Sequence, residues 1–539
     1  MNNTIKRGFG DFSILLKVLI ILTLVIGIFC RFYSLDSKAL SNDETFSSTY
    51  IYGHSLAEII DDDIVTVKKL QDYQQLNPQE SLTTSIQRLV EHPYVFPPLY
   101  GILMQFWARL WSNFTDNFVV ISRSLSVFIS LFSLLGMYLL CRELSESTTM
   151  AWIGVAFVAI SPFHLQYSQI IRTYSLTTAA TLLSSALLLR AIRINQKSNW
   201  IVYSLSVAGG LYANLLFGFV GVGHLAYVLL SEKFRLTKTF RAYFLAAAVG
   251  SALFLPWFIL FISAPNLLGY SVAQVADSKS LKFLLSSWLK NLRPIFIDIN
   301  NPWVEFTNIF ARLQNLLTPL FLLLLLWAIY YLVRYGNTKV RNLSLCLIGF
   351  SGILLMVKDL TTGGTFSTRL RYILPYVIGI ELVVTYFLAS ILTSKHNWQR
   401  KLSETTISCL LILGIISCGI ISNADSWWAF GAPDYPAIAR EINKNSNPVV
   451  IFEDWGDALT MSYLLNPEVN IHLTRKGDFY FQPAQQKIYD GFSDIFIFKP
   501  NQKNMNKIKN NSSLTTELLS ISDSFVLHQP EVWRINLNR

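Results

Sequence analysis

Asp43 and Glu44 form an adjacent acidic pair about ten residues beyond the apolar run Ile14–Phe32. In a chain that is 52% hydrophobic and only 14% charged, carboxylates held beside a bilayer are costly and tend to have a task. A carboxylate fixed there can take the proton of a hydroxyl or amine as it attacks a group carried on a lipid. The pair also has a structural reading. Asp43, behind Asn42, suits the cap of a helix that begins at Glu44. Capping and catalysis are compatible.

A second constellation is the segment 161–174, Ser-Pro-Phe-His-Leu-Gln-Tyr-Ser-Gln-Ile-Ile-Arg-Thr-Tyr. Gln169, Arg172 and Tyr174 place donors where the chain returns to apolar sequence. An arginine at that depth can grip a phosphate with two parallel hydrogen bonds, or snorkel to ordinary headgroups. His164 has no neighbour to make a second metal ligand and reads as structural. A third group is Arg369, Arg371 and Tyr372, for which an anionic ligand or pairing with Asp359 would each account. Thr361-Thr362-Gly363-Gly364 just before it suits a loop that closes over a ligand. His92, Tyr94, Phe96, Pro97, Pro98 and Tyr100 supply aromatic and proline-rich walls for an acceptor or pocket. No cofactor is implied. A divalent metal is not favoured, because the turn 165–173 has no carboxylate to complete an oxygen site with Asp43.

These residues must be positioned by membrane helices. The chain has 539 residues, a net charge of +10 and a mean hydropathy of +0.40. The basic residues cluster in short loops between apolar runs, which is the signature of cytoplasmic loops and excludes a nucleic-acid-binding face. Expected spans are Ile14–Phe32, then 125–141, 150–163, 174–189, 200–214, 215–230, 242–262, 313–333, 343–357, 372–392 and 407–421. Lys6 and Arg7 precede the first, and no small-residue cleavage site follows it, so it reads as an uncleaved anchor starting in the cytoplasm. Leu99–Trp111 is short, follows Pro97-Pro98 and contains Arg109. If it crossed, every later basic cluster would fall outside, so it reads as interfacial or re-entrant. About eleven crossings then form a polytopic α-helical unit, residues 1–424, with a long first extracytoplasmic loop at 33–123.

Residues 425–539 change character. Helical patterns at 437–444 and 458–465 alternate with short strand patterns at 448–452, 469–473, 495–498 and 524–527. That alternation predicts a small extracytoplasmic α/β domain. The five cysteines, Cys30, Cys141, Cys346, Cys409 and Cys418, lie in or at the ends of apolar runs and read as small packing residues.

The order of motifs carries a resemblance. One span, an Asp-Glu pair, Pro97-Pro98-Leu99-Tyr100, Arg123-Ser124-Leu125-Ser126 ahead of the second span, the 161–174 motif and a later Arg371-Tyr372-x-x-Pro375 follow one another. Over residues 14–392 the chain resembles the GT-C membrane glycosyltransferases, in particular the bacterial protein O-mannosyltransferase and aminoarabinose-transferase-like group. The resemblance implies a bacterial plasma-membrane enzyme moving a sugar from a polyprenyl-phosphate carrier to an acceptor outside the cytoplasm, whether protein, lipid or polysaccharide. It makes Asp43 the catalytic carboxylate with Glu44 beside it, puts Gln169, Arg172 and Tyr174 on the donor-facing turn, and assigns Arg371-Tyr372 to a later site loop. One departure concerns Phe96, where relatives often carry histidine or a basic residue; His92, four residues upstream, is the available substitute. The expected reaction is inverting: Asp43 is the general base, and Arg172 and Arg371 stabilise the departing phosphate. The rival class is a transporter or flippase for an anionic glycolipid, although no matched pair of Gly/Pro-broken spans divides the chain into two halves. A scaffold that binds glycolipid without turnover is a third class.

Overall fold

The computed structural model describes residues 12–54, 64–77, 79–91, 96–263, 280–300, 307–427, 434–474, 487–511, 514–519 and 532–537. Every apolar run expected to cross is helical, but the lengths differ. Among the described residues, eight helices are long and apolar enough to span a bilayer, and the bent pair Thr148–Ile160 and Pro162–Ser168 makes a ninth if counted as one span. The runs at 200–214 and 215–230 form the helices Lys197–Ala213 and Phe217–Ser231, of 17 and 15 residues, short of the roughly 20 that hydrocarbon requires. The chain is a polytopic α-helical membrane protein with a small sheet unit near its C-terminus. Outward-facing Leu, Ile and Phe side chains on Ile14–Phe32, Lys238–Ile262 and Thr307–Tyr335 give it an apolar surface.

The bend between Thr148–Ile160 and Pro162–Ser168 is 58°, and its cause is local. Pro162 has no N–H to offer the carbonyl of Val158, so the helix ladder is interrupted. Freed carbonyls inside a membrane protein need other donors. Arg31, 1% exposed at the end of the first span, supplies them: it donates to the carbonyls of Val158 at 2.8 Å, of Ala159, and of its own Gly27 at 2.8 Å. The two helices come close because residue 27 is glycine. A Cβ there would lie 2.3 Å from the Ala159 carbonyl oxygen. Gly27→Ala is expected to part the helices and cost about 1–3 kcal/mol of stability. Thermal unfolding of the detergent-solubilised protein checks this, and an unchanged melting temperature would show that the contact can relax freely.

A hydrogen bond between the buried His164 Nε2 and the Glu381 carboxylate, at 3.0 Å, ties the bent segment to the helix Leu374–Leu392. The elements carrying Arg172 and Arg371 are thereby linked below the surface. Asp359 does not pair with Arg369 or Arg371; its Oδ2 accepts from the backbone N–H and hydroxyl of Ser367, both at 2.6 Å. Gly363, at φ 73°, closes the preceding helix Leu354–Thr362 in the left-handed conformation that favours glycine. Cys30, Cys141, Cys346 and Cys418 are buried free thiols, whereas Cys409 is exposed.

Among the described residues, the polar end of the chain contributes to a six-stranded sheet. Its strands are β1 (Ile64–Thr66), β2 (Pro448–Phe452), β3 (Asn470–Leu473), β4 (Asp494–Phe498), β5 (Leu514–Leu518) and β6 (Val532–Leu537), in the order β1-β3-β2-β4-β6-β5. β2 is parallel to both neighbours and buried throughout, as a central strand covered on both faces should be. β1 is the unexpected member. It comes from the first long loop and pairs antiparallel with β3, so one edge of the sheet crosses the expected boundary at residue 424. β5 and β6 had no legible pattern, and the expected strand at 524–527 lies outside the described residues.

The sheet unit docks on the helix Asn42–Tyr52. Asn42 Oδ1 accepts from Thr460 Oγ1 at 2.8 Å, and the Phe46 and Trp455 rings lie 5.3 Å apart. Gln71, beside β1, donates to the Ser462 carbonyl at 2.7 Å.

Candidate active site

Asp43 lies in the first turn of Asn42–Tyr52, where the exposed N–H dipoles favour an anion. It is not the cap. Ser41 is, and Glu44 closes the capping box by accepting from the Ser41 N–H at 2.8 Å. Asp43 is therefore free to face outward, half-buried at the wall of a cavity of about 830 Å³. Arg172 reaches one carboxylate oxygen at 3.0 Å and Arg371 bonds the other. Burial alone would push the carboxyl pKa up. The charges of Arg172, Arg371 and Arg369 outweigh it and hold Asp43 below the ordinary carboxylate value.

Glu44 has a different part from the catalytic one expected. It is fully buried and does not line the cavity. Its carboxylate accepts from Arg123 Nε at 3.0 Å and NH2 at 3.2 Å, and from the Ile171 N–H at 3.1 Å. Arg123 in turn holds the carbonyls of Leu35, Lys38 and Ala39. Ser126, one helical turn on, donates to the Ile170 carbonyl at 2.7 Å and meets the Tyr100 hydroxyl at 2.7 Å. The Arg123-Ser124-Leu125-Ser126 motif thus fastens both the start of the Asp43 helix and the turn that carries Arg172.

The donor-facing assignments divide. Tyr174, Arg369 and Arg371 line the Asp43 cavity. Tyr372 lies under Arg371, with its ring centroid 5.3 Å from the guanidinium carbon. Gln169 does not face the cavity. It is 1% exposed, and its amide donates to the carbonyls of Cys30, Arg31 and Tyr33, capping the end of the first span. Arg172 is 6% exposed and stacks over Phe96, 4.2 Å from the ring centroid. Its Nε and NH1 are buried, with no hydrogen-bond partner among the described residues. Phe96, Pro97, Pro98 and Tyr100 are on that far side of Arg172, not on the Asp43 cavity wall expected of them. His92 and Tyr94 lie outside the described residues.

An apolar groove of about 530 Å³ runs between Leu99–Trp111 and the helices Phe118–Ser145, Tyr174–Ile194 and Lys197–Ala213. It shares Leu99 and Gly209 with a second apolar pocket of about 370 Å³, which shares Pro98 with the Arg172 side. A Cβ on Gly209 would meet open space.

The cavity also gathers residues that no local motif marked. Lys290, Arg293 and Asp298 come from the stretch between the helices Lys238–Ile262 and Thr307–Tyr335; Tyr435, Asp457 and Lys499 come from the small α/β unit. Trp427 Nε1 donates to Asp298 Oδ2 at 2.7 Å, and burial lowers the pKa of Arg293 against the opposing pull of Asp298. The only advance signal for Lys290 and Arg293 was charge in an outer loop. Among the described residues no group of three His, Cys, Asp or Glu side chains gathers into a metal-binding arrangement.

Comparison with known proteins adds the family context. Residues 92–260 match the family described as dolichyl-phosphate-mannose-protein mannosyltransferase. The chain superposes on ArnT from Cupriavidus metallidurans bound to undecaprenyl phosphate with a TM-score of 0.53 and 11% identity, covering 96% of this chain and 97% of that one. The apo form of the same protein gives 0.53 and 10%, with the same coverage. An oligosaccharyltransferase from Archaeoglobus fulgidus, in complex with zinc and sulfate, is more distant, at 0.49 and 10% over 89% of this chain and 68% of that one. No curated protein sequence matches the chain. At these identities the structural likeness speaks for the fold.

Proposed function

We propose that this chain, which has the fold of the GT-C membrane glycosyltransferases, transfers a hexosyl or pentosyl group from a polyprenyl phosphate to an acceptor hydroxyl or amine, with inversion. The observation that carries the reading is the Asp43 carboxylate set between Arg172 and Arg371 on a large cavity whose lining includes several charged side chains. The acceptor O–H or N–H gives its proton to Asp43 as the oxygen or nitrogen bonds the anomeric carbon. The bond from that carbon to the phosphate oxygen breaks, and polyprenyl phosphate leaves with the electron pair. Arg371 and Arg369, which line that cavity, and Arg172, which is bonded to Asp43, are the groups that would meet the growing phosphate charge. A phosphate is a weak base, so its departure needs no separate acid.

The apolar groove beside Leu99–Trp111 suits the polyprenyl tail, because it adjoins, through Leu99, Gly209 and Pro98, the pocket that Arg172 lines. ArnT, the fold neighbour, has been crystallised with undecaprenyl phosphate, the same ligand class. The basic-residue pattern supports an extracytoplasmic site and an extracytoplasmic segment 425–539, and the family resemblance supports a bacterial plasma membrane. Residues 1–424, apart from β1, are then the membrane unit that carries Asp43, Arg172 and Arg371. Protein side chains, lipids and polysaccharides all offer suitable acceptor groups.

The direct test compares glycolipids and glycoproteins from cells with and without the chain, alongside release of polyprenyl phosphate from a labelled donor by the purified protein. Unchanged glycans together with no release would sink the reading. Arg172 gives a sharper test. Arg172→Ala is expected to lose about 2–4 kcal/mol of transition-state stabilisation in kcat/KM. Arg172→Lys should recover only part, since a point charge cannot reproduce the planar fork. If both match the natural chain at equal expression, Arg172 is an ordinary structural arginine and the donor is held elsewhere.

A further inference from the structure

Resting on that reading, we infer that Lys499 and Asp457, bridged by Tyr435, hold the hydroxyls of the sugar being transferred, so that the small α/β unit selects the sugar. The three residues come from three separate segments: the start of the helix Tyr435–Ile442, the first turn of Trp455–Met461, and the residue after β4. All three line the cavity that contains Asp43.

Their bonding leaves a particular pattern facing it. Tyr435 donates its hydroxyl hydrogen to Asp457 Oδ1, and Lys499 Nζ donates to the Tyr435 oxygen at 2.8 Å. Asn42 Nδ2 also reaches Asp457 Oδ1, at 3.3 Å. Asp457 Oδ2 is only loosely met by Lys499, at 3.9 Å. The remaining ammonium hydrogens and Oδ2 therefore present a donor beside an acceptor. A hydroxyl can use both at once, accepting from Lys499 and donating to Asp457. A phosphate or carboxylate would meet the Asp457 charge, and a cation would meet Lys499. The pattern fits a neutral polyol.

The position fits as well. Asn42, which touches Asp457, is the residue before Asp43. A phosphate gripped at Arg371 puts its attached sugar in the cavity that Asp43 and this cluster both line.

Lys499 is also held in an unusual way. Its φ of 44° is in the left-handed region, where a glycine would sit without strain. The next turn is fixed by Glu453, which accepts from the Asn501 N–H at 3.1 Å and from Asn504 Nδ2 at 3.0 Å. A strained lysine locked by its surroundings, and aimed into a reaction cavity, is where strain tends to be kept for function.

The test measures binding of bare undecaprenyl phosphate and of its mannose, glucose and arabinose forms to the purified full chain. The natural chain should bind at least one sugar-bearing lipid about tenfold tighter than the bare lipid. Lys499→Met and Asp457→Asn should each remove that margin while leaving affinity for the bare lipid within about twofold. Tyr435→Phe should shrink the margin, because the bridge is lost and the ring is kept. The inference is overturned if both charge variants keep the margin, or if no sugar-bearing lipid binds better than the bare one. It is also overturned if bare-lipid affinity falls as much as the sugar-bearing affinity, since the cluster would then serve the phosphate or the fold. No binding of any polyprenyl phosphate would instead defeat the lipid-phosphate reading on which the inference stands.

Discussion

Asp43→Asn is expected to lose sugar transfer by roughly 10²–10⁴-fold and yet to bind bare undecaprenyl phosphate more tightly than the natural chain. Loss of transfer follows from removing the proton acceptor. Tighter binding follows from the geometry. Both Asp43 oxygens are taken by the arginines that the phosphate also requires. A phosphate must compete with Asp43 for them, and an amide competes far less. The pH dependence carries the same signature. In the free enzyme the arginine charges hold the Asp43 pKa below its ordinary value near 3.9, so the carboxylate is ionised at neutral pH and protonates only in stronger acid. The kcat/KM profile should therefore show no acid limb from Asp43 near neutrality. Once the arginines turn toward phosphate, that depression weakens and the carboxylate becomes a better base. The acid limb of kcat, which reports the bound complex, should lie at higher pH than that of kcat/KM. Equilibrium binding and pH–rate profiles check both. Weaker lipid binding by Asp43→Asn would mean that the carboxylate helps to hold the donor.

Glu44→Ala should instead act on stability, costing about 3–5 kcal/mol, because it strands the Arg123 charge in a dry interior. Both side chains are within 1% of complete burial, and their pair is supplemented by bonds to five backbone groups and the Ser41 hydroxyl. Removing both charges should be milder. A Glu44→Ala, Arg123→Met double variant is expected to recover part of the loss, since no unpaired charge remains. Thermal melting of the solubilised protein, with turnover measured on the folded fraction, separates this from a catalytic part for Glu44. Equal melting temperatures for the natural and Glu44→Ala chains would remove Glu44 and Arg123 from the frame of the site.

The contrast between Asp43 and Glu44 also marks how far the sequence could be read. Asp43, Arg172 and Arg371 were legible because short motifs put them at membrane boundaries, and the structure brings those three together. Adjacent helix residues point about 100° apart, so an Asp-Glu pair could not both face one cavity. Composition does not say which of the two turns inward. Gln169 was misjudged for a related reason: the turn at 165–173 has two sides, and only tertiary packing on the first span decides which one the amide takes. Span number is legible only where length and hydropathy agree: the helices Lys197–Ala213 and Phe217–Ser231, of 17 and 15 residues, are shorter than a full crossing. Tyr435, Asp457 and Lys499 were invisible as a group because long sequence separations and ordinary residue types leave no local spacing to detect.

The three-residue strand β1 sets a timetable for the newborn protein. Its partner β3 is encoded about 400 residues later. At roughly 5–20 residues per second, that segment waits on the order of 20–80 s for a mate while the ribosome is still at work. During that interval the loop next to Asp43 has an unpaired edge, exposed to proteases and to the wrong neighbour. A chain interrupted before residue 470 would have its membrane helices but neither β3 to anchor that loop nor Lys499 to complete the cavity. Quality control is thereby written into the topology: the first loop becomes secure only after nearly the whole message has been translated.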